Sequence, residues 1–169
     1  MKPATIMVVE DNPIALKMVH VALSCEGYTA LEAPDGQTAV DLAERTMPDL
    51  ILLDLRLPDM TGYDVAARIR NLPGGQETPI LAFSGILSRT EKARLNVAGF
   101  SDFLEKPVEP SRLIQVISRF LPERAQPADK PGKGRRVLLA DDDAIQRKFL
   151  SFSLTQLGFH VTTAEDGAE

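Results

Sequence analysis

Long apolar segments and cysteines are scarce in this sequence of 169 residues. No stretch approaches the roughly 20 apolar residues that a membrane-spanning helix needs, and the first residues, 1–3, run directly into an apolar strand without a signal-peptide pattern. The one cysteine, Cys25, cannot form an intrachain disulfide and lies among helical apolar residues, which favours a buried structural thiol. We therefore expect a cytoplasmic protein that makes no membrane contact.

Nucleotide-binding motifs and an excess of basic residues are also missing. The sequence contains no GxxxxGK[ST] loop, which disfavours an NTPase. The first strand-to-helix turn is acidic and lacks a glycine-rich or hydroxyl-rich phosphate cradle, so charge repulsion disfavours a flavin phosphate at that turn. The net charge of −5 argues against direct nucleic-acid binding as the main role.

The charge distribution divides the chain into three parts. Residues 1–122 carry 16 acids and 12 bases, residues 123–136 carry 2 acids and 5 bases, and residues 137–169 carry 6 acids and 2 bases. The basic middle part contains two prolines and two glycines and shows no apolar periodicity, which predicts a solvated, flexible linker. We predict a domain at 1–122, a linker at 123–136 and a further unit at 137–169.

Short apolar runs alternate with segments of helical period, a pattern typical of strand–helix units around a parallel sheet. The predicted strands centre on residues 6–9, 28–31, 50–53, 80–83 and 103–104. The first, third and fourth runs are apolar without alternation, which indicates strands covered on both faces. A helix is predicted after each strand, and the last one has a broad apolar stripe over residues 113–121. The fold class is therefore a doubly wound α/β fold with five strands and five helices.

Charged side chains follow these predicted strands. Glu10 and Asp11 come directly after the first strand, Asp54 after the third and Lys106 after the fifth. Because the carboxyl ends of parallel strands meet in one crevice, we expect these groups to lie together. Clustered carboxylates repel one another unless a cation is present, and hard oxygen ligands suit Mg²⁺. The lysine supplies a positive charge for an incoming phosphoryl group.

Residues 137–169 repeat residues 6–38 at a constant offset of 131 without a gap. Asp11 corresponds to Asp142, and the glycine at 27 corresponds to Gly158. The repeat covers only one strand, one helix and a second strand, and it stops before any counterpart of Asp54. A lone strand–helix–strand unit cannot cover both faces of its sheet. We expect the chain to be a fragment of a tandem protein, or its tail to be poorly ordered or completed by another molecule.

Four motifs in this order resemble the receiver domain of response regulators, the CheY-like family of two-component signalling. They are the acid pair in VVEDN, the aspartate in LLDLRLPDMTG, the hydroxyl of Ser84 in LAFSG and the lysine in DFLEKP. The resemblance covers residues 4–121 and recurs in residues 137–169 as a truncated second receiver. It implies a flavodoxin-like parallel sheet with strand order 2-1-3-4-5.

The resemblance implies that Asp54 accepts a phosphoryl group from the phosphohistidine of a sensor histidine kinase or a histidine phosphotransfer protein. It implies that Asp11, Asp54 and the backbone carbonyl of Arg56 bind Mg²⁺ directly, and that Glu10 acts directly or through water. Such a protein phosphorylates itself and slowly dephosphorylates itself. It is a signalling switch rather than a metabolic enzyme.

The resemblance also implies a switch. Lys106 pairs with one phosphoryl oxygen, Ser84 donates a hydrogen bond to another, and Phe103 turns inward as Ser84 moves. The peptide bond before Pro107 is cis in this family. The face formed by the fourth helix, the fifth strand and the fifth helix then controls a partner or output domain, and a homodimer through that face is one option.

Less specific interpretations exist for each residue alone. An acidic pair after a strand is often only a helix cap, and Asp54 alone is consistent with a solvated strand end. The combination with Ser84 and Lys106 favours phosphoacceptor function. The main alternative is a receiver-like interaction module that works without phosphorylation. His20 and His160 lack the spacing of a metal site, and we assign them no chemistry.

Overall fold

The computed structural model describes residues 3–85, 88–121, 132 and 134–165. The strands in this part of the chain are β1 Thr5–Val9, β2 Thr29–Ala33, β3 Leu50–Leu53, β4 Ile80–Ser84, β5 Asp102–Glu105, β6 Arg136–Ala140 and β7 His160–Ala164. The helices are α1 Pro13–Cys25, α2 Gly36–Arg45, α3 Gly62–Arg70, α4 Arg89–Val97, α5 Pro110–Phe120 and α6 Ala144–Gln156.

The first five strands form one parallel sheet with the order β2-β1-β3-β4-β5. This order confirms the predicted doubly wound fold. The second strand begins one residue later than predicted, because the Tyr28 N–H donates to the Leu23 carbonyl and closes the end of α1. It also runs two residues further, since Glu32 and Ala33 pair with Val8 and Val9 of β1.

Two apolar clusters cover the two faces of this sheet. Side chains of β1, β3 and β4 alternate between them, so that Met7 and Ile51 pack toward α2 and α3 while Ile6 and Leu52 pack toward α1 and α5. Every residue of β3 and β4 is buried, as expected for strands covered on both faces. The apolar stripe of α5 packs into the second cluster, as the sequence predicted.

Helix ends follow from local side-chain chemistry. The Asn12 side chain accepts hydrogen bonds from the N–H groups of Ile14 and Ala15 at 2.9 and 3.1 Å, and Asp35 accepts one from Thr38 at the start of α2. After α1, Gly27 has a φ of 80°, a conformation that favours glycine. These caps fix where the chain leaves each strand and enters each helix.

The C-terminal unit consists of β6, α6 and β7. Its two strands pair in parallel, and α6 packs against α1 of the larger unit. Most of the predicted linker and residues 166–169 lie outside the described residues, as does Pro122. The predicted linker ends at residue 136, which is the first residue of β6. No helix of the described ranges has both the length and the hydropathy to cross a membrane.

Candidate functional site

The carboxyl ends of the central strands bring the predicted residues together. The Glu10 N–H donates to the Ala33 carbonyl at the end of β2, and the Asp54 N–H donates to the Val9 carbonyl, both at 3.0 Å. The Lys106 N–H donates to the Ser84 carbonyl at 2.7 Å. Backbone hydrogen bonds between neighbouring strands therefore fix the relative positions of these residues.

Three carboxylates lie close together at this edge of the sheet. Glu10, Asp11 and Asp54 each offer one oxygen, and the three oxygens lie within 4.8 Å of one another. Glu10 is 2% exposed and Asp54 is 7% exposed, whereas Asp11 is exposed to solvent. Two carboxylates of the cluster are therefore buried, and the third is on the side that faces solvent.

Lys106 provides the positive charge in the cluster. Its Nζ lies 2.5 Å from Asp54 Oδ2 and also donates a hydrogen bond to Glu10 Oε2. The same ammonium lies 4.7 Å from the centre of the Phe83 ring, which adds a cation–π contact. The peptide bond between Lys106 and Pro107 is cis.

Burial raises the pKa of the Glu10 carboxyl. The Lys106 hydrogen bond and charge, and the hydrogen bond from the Asn12 N–H, oppose this shift without cancelling it, and the Asp54 charge adds to it. Ionised Glu10 is thus costly in this site as it stands. A further cation at the carboxylates lowers that cost.

Local backbone geometry orients Asp54. Its Oδ1 accepts a hydrogen bond from the Arg56 N–H at 2.9 Å, two residues along the chain. Gly62 packs directly on the same backbone, since a Cβ at Gly62 would lie 2.3 Å from the Asp54 carbonyl oxygen and 2.8 Å from the Leu55 Cα. Gly62 is the last residue of the motif LLDLRLPDMTG, and the motif alone indicates no role for it. Only the tertiary contact shows that residue 62 must lack a side chain.

The predicted switch residues lie next to the cluster on β4 and β5. Ser84 is the last residue of β4, is 4% exposed and pairs with Glu105 of β5. Phe103 is half-buried against the apolar cluster of α2 and α3, and the Lys92 ammonium lies 4.9 Å from its ring centre. Ser84 is therefore linked to Lys106 through its carbonyl, while the Phe103 side chain lies toward α4.

Asp59, Asp64 and His20 do not belong to the acidic cluster. The Asp59 carboxylate accepts hydrogen bonds from the N–H groups of Gly36 and Gln37, and Asp64 forms a capping box with Thr61. His20 Nδ1 lies 2.5 Å from Glu32 Oε1 on the outer side of the sheet edge. Hydrogen bonds to nearby backbone and side-chain groups therefore account for the positions of Asp59 and Asp64.

The donor set fits a hard divalent cation. Three carboxylates offer oxygen ligands, and Asp54 and Glu10 already share one positive group. Carboxylate oxygens suit Mg²⁺ in proteins. A carboxylate oxygen is also one of the nucleophiles that form covalent phosphoryl intermediates in proteins.

Residues 6–118 match the response regulator receiver domain family. The polar-differentiation response regulator DivK of Brucella anthropi is 29% identical over 119 residues, which cover 70% of this chain and 97% of DivK.

Solved structures of response regulators and receiver domains are also similar to this chain. The chemotaxis protein CheY4 of Vibrio cholerae has a TM-score of 0.68 and 29% identity, with 70% of this chain and 98% of CheY4 covered. The receiver domain of the sensor histidine kinase PA1611 from Pseudomonas aeruginosa, whose structure has a magnesium ion in the active-site cleft, has a TM-score of 0.66 and 32% identity. That match covers 72% of this chain and 99% of the PA1611 domain. The chain therefore belongs to the response regulator receiver domains of two-component signalling.

Proposed function

We propose that Asp54 is the phosphoacceptor of this receiver domain. The observation that carries the proposal is the position of Asp54, which is buried at the carboxyl end of β3 and is in contact with Lys106 beside Glu10. The phosphodonor is the phosphohistidine of a sensor histidine kinase or of a histidine phosphotransfer protein. The structure of the PA1611 receiver with magnesium supports both the family of donor and the metal.

The transfer step conserves atoms and charge. One Asp54 carboxylate oxygen attacks the phosphorus, a new O–P bond forms, and the P–N bond to the donor histidine breaks. The electron pair of that bond stays on the histidine nitrogen, which takes up a proton. In the later hydrolysis, a water oxygen attacks the same phosphorus, and inorganic phosphate leaves while the Asp54 carboxylate is restored.

The surrounding side chains position and neutralise the phosphoryl group. Mg²⁺ held by Glu10, Asp11, Asp54 and the Arg56 carbonyl would offset the negative charge of a loose phosphoryl-transfer state. Lys106, already in contact with Asp54, pairs with a phosphoryl oxygen after transfer. In such reactions positioning and electrostatics supply most of the catalysis.

We propose further that phosphorylation acts on the face formed by α4, β5 and α5. The Ser84 hydroxyl donates to a phosphoryl oxygen, and Phe103 turns into the space that Ser84 vacates. This face carries exposed Val97 and the ion pair between Lys92 and Glu105. It is the proposed surface for an output partner or for a homodimer.

The organisation of the C-terminal part supports a tandem arrangement. The parallel β6-α6-β7 unit has the element order of β1-α1-β2, in agreement with the sequence offset of 131. We propose that it is the start of a second receiver. A cytoplasmic location without nucleic-acid contact by this segment completes the proposal.

Phosphorylation by a small donor tests this function. With Mg²⁺ and phosphoramidate, the intact mass should rise by one phosphoryl group, and the increment should be absent without Mg²⁺ or in Asp54→Asn. The matched control is Asp142→Asn, an exposed acid of the C-terminal unit, which should be labelled like the wild type. Labelling that persists in Asp54→Asn would overturn the assignment.

The interaction module without phosphorylation makes a different prediction. Beryllofluoride with Mg²⁺ mimics a phosphoryl group on a carboxylate. A saturable spectral change that disappears in Asp54→Asn supports the switch, whereas no change supports the module.

A further inference from the structure

Helix α6 of the C-terminal unit is docked on α1. Ile145, Phe149 and Ser153 recur at intervals of four residues and share one helix face. Phe149 is 6% exposed and Ser153 is 1% exposed. The Cys25 Sγ at the end of α1 lies 3.5 Å from the Ser153 carbonyl oxygen. Phe149 and Ser153 are therefore buried at the interface, whereas Ile145 at its edge is 55% exposed, and Cys25 lies next to Ser153.

This interface reaches the phosphoacceptor site. An apolar cavity of about 120 Å³ lies between α1 and α6 next to the turn after β5. Its lining includes Met18, Phe83, Lys106 and Pro107 from the receiver domain and Ile145 and Phe149 from α6. One side chain, Lys106, thus belongs both to the acidic cluster and to the wall of the cavity under α6.

An ion pair at the edge adds little to the docking. Lys148 Nζ lies 3.5 Å from Glu109 Oε1, and both side chains are well exposed, at 72% and 63%. Exposed pairs of this kind contribute little to stability, because water screens the charges. The buried apolar side chain of Phe149 therefore contributes most to the interface.

We propose that α6 is a cap that is released from α1 when a phosphoryl group occupies the acidic cluster. This inference rests on the proposed function, since it requires a modified Asp54.

The coupling follows from the position of Lys106. In the unmodified site its ammonium is held by Glu10 and Asp54, and its stem contributes to the cavity below Phe149. A phosphoryl group on Asp54 occupies the position where the ammonium now meets the carboxylate. The ammonium then moves to a phosphoryl oxygen, and the stem and Pro107 move with it. Docking of α6 is complementary to the unmodified arrangement, so the movement weakens it.

Docking of α6 and occupancy of the acidic cluster must affect each other equally. If site occupancy weakens docking by some factor, loss of docking must strengthen occupancy by the same factor. A change that removes α6 from α1 must therefore tighten beryllofluoride binding at Asp54.

Cys25 is the one cysteine of the sequence and reports directly on docking. Burial raises the pKa of its thiol, so its reaction with a thiol reagent such as DTNB is slow while α6 covers it. In the full chain, Mg²⁺ with beryllofluoride should increase this reaction rate at least fivefold. Mg²⁺ alone should leave the rate within twofold.

Two variants test the interface itself. Phe149→Asp should raise the rate of the Cys25 reaction with DTNB in the absence of beryllofluoride. It should also tighten beryllofluoride binding, measured by ¹⁹F NMR, by the same factor by which beryllofluoride raises the Cys25 rate in the wild type. Ser153→Trp is too large for the contact with Cys25 and should act in the same direction. Thr155→Asp adds the same charge as Phe149→Asp at an exposed position of α6 and should match the wild type in both measurements.

The outcomes separate this inference from the proposed function. If beryllofluoride binds through Asp54 and the Cys25 rate does not change, the cap is not coupled and the inference is wrong. It is equally wrong if Phe149→Asp exposes Cys25 while beryllofluoride affinity stays constant. If beryllofluoride does not bind to the wild type at all, the proposed function has failed instead.

Discussion

Lys106→Met isolates the electrostatic role of the lysine. Methionine keeps a long apolar stem beside Phe83 and removes only the positive charge and its hydrogen bonds. Glu10 and Asp54 are then left as neighbouring buried carboxylates without their shared cation. We expect a less stable protein in the absence of Mg²⁺.

The burial of the three groups sets the magnitude. Removing one partner of a buried ion pair costs about 3–5 kcal/mol. The Lys106 side chain is 25% exposed, so water screens part of the interaction. Each carboxylate also keeps one backbone hydrogen bond, from Asn12 to Glu10 and from Arg56 to Asp54. We therefore expect a loss of roughly 2–4 kcal/mol in the free energy of unfolding, below the full cost of an unpaired buried charge.

Urea unfolding followed by circular dichroism, with EDTA and with Mg²⁺, measures this effect. The matched control is Lys92→Met, which breaks an exposed pair with Glu105 at 2.8 Å and should cost about 1 kcal/mol or less. Mg²⁺ should reduce the loss in Lys106→Met and leave the control unchanged, because the metal replaces the missing charge. A Lys106→Met protein as stable as the wild type in EDTA would refute this reasoning.

Three further changes test other parts of the account. In EDTA at neutral pH, the Glu10→Gln protein should be more stable than the wild type. Because folding raises the pKa of Glu10, the wild type loses stability as the pH rises from the unfolded-state pKa of this group through its folded-state pKa. The urea midpoints of the two proteins should therefore converge at about pH 4. Gly62→Ala should lower the free energy of unfolding by about 1–3 kcal/mol and slow phosphorylation, since the new Cβ displaces the Asp54 backbone; wild-type rates in a phosphorylation time course would contradict this. Asn12→Ala removes the cap of α1 and should cost about 0.5–2 kcal/mol in thermal or urea unfolding.

The sequence predicted the sheet because its central strands are apolar throughout. Runs such as Leu50–Leu53 have no polar face, which points to a parallel sheet covered on both sides. Strand ends were less predictable, since they depend on hydrogen bonds between distant residues. The extension of β2 to Ala33, for example, depends on pairing with Val9.

The acidic cluster was predictable for a related reason. Parallel strands place their carboxyl ends together, so Glu10, Asp11, Asp54 and Lys106 converge once the strands are assigned. Contacts that depend on three-dimensional proximity alone were not predictable. No local pattern indicates that residue 62 packs on the Asp54 carbonyl.

The secondary structure of the C-terminal unit was predictable from the sequence, but its packing on the rest of the chain was not. The repeat predicted a strand, a helix and a strand, and all three are present in residues 136–164. The sequence did not indicate that α6 packs on α1, because this contact pairs Ser153 with Cys25 across a separation of 128 residues. Contacts of this kind depend on how the two units meet in space, which no local sequence pattern encodes.

The central claim is that Asp54 accepts the phosphoryl group, and site-resolved mass spectrometry tests it most directly. The protein is treated with Mg²⁺ and acetyl phosphate, the acyl phosphate is trapped by borohydride reduction, and the modified peptide is sequenced. We predict that the modification is located at Asp54 and requires Mg²⁺. An unmodified Asp54 peptide under these conditions, or a modification located at another residue, would contradict the account.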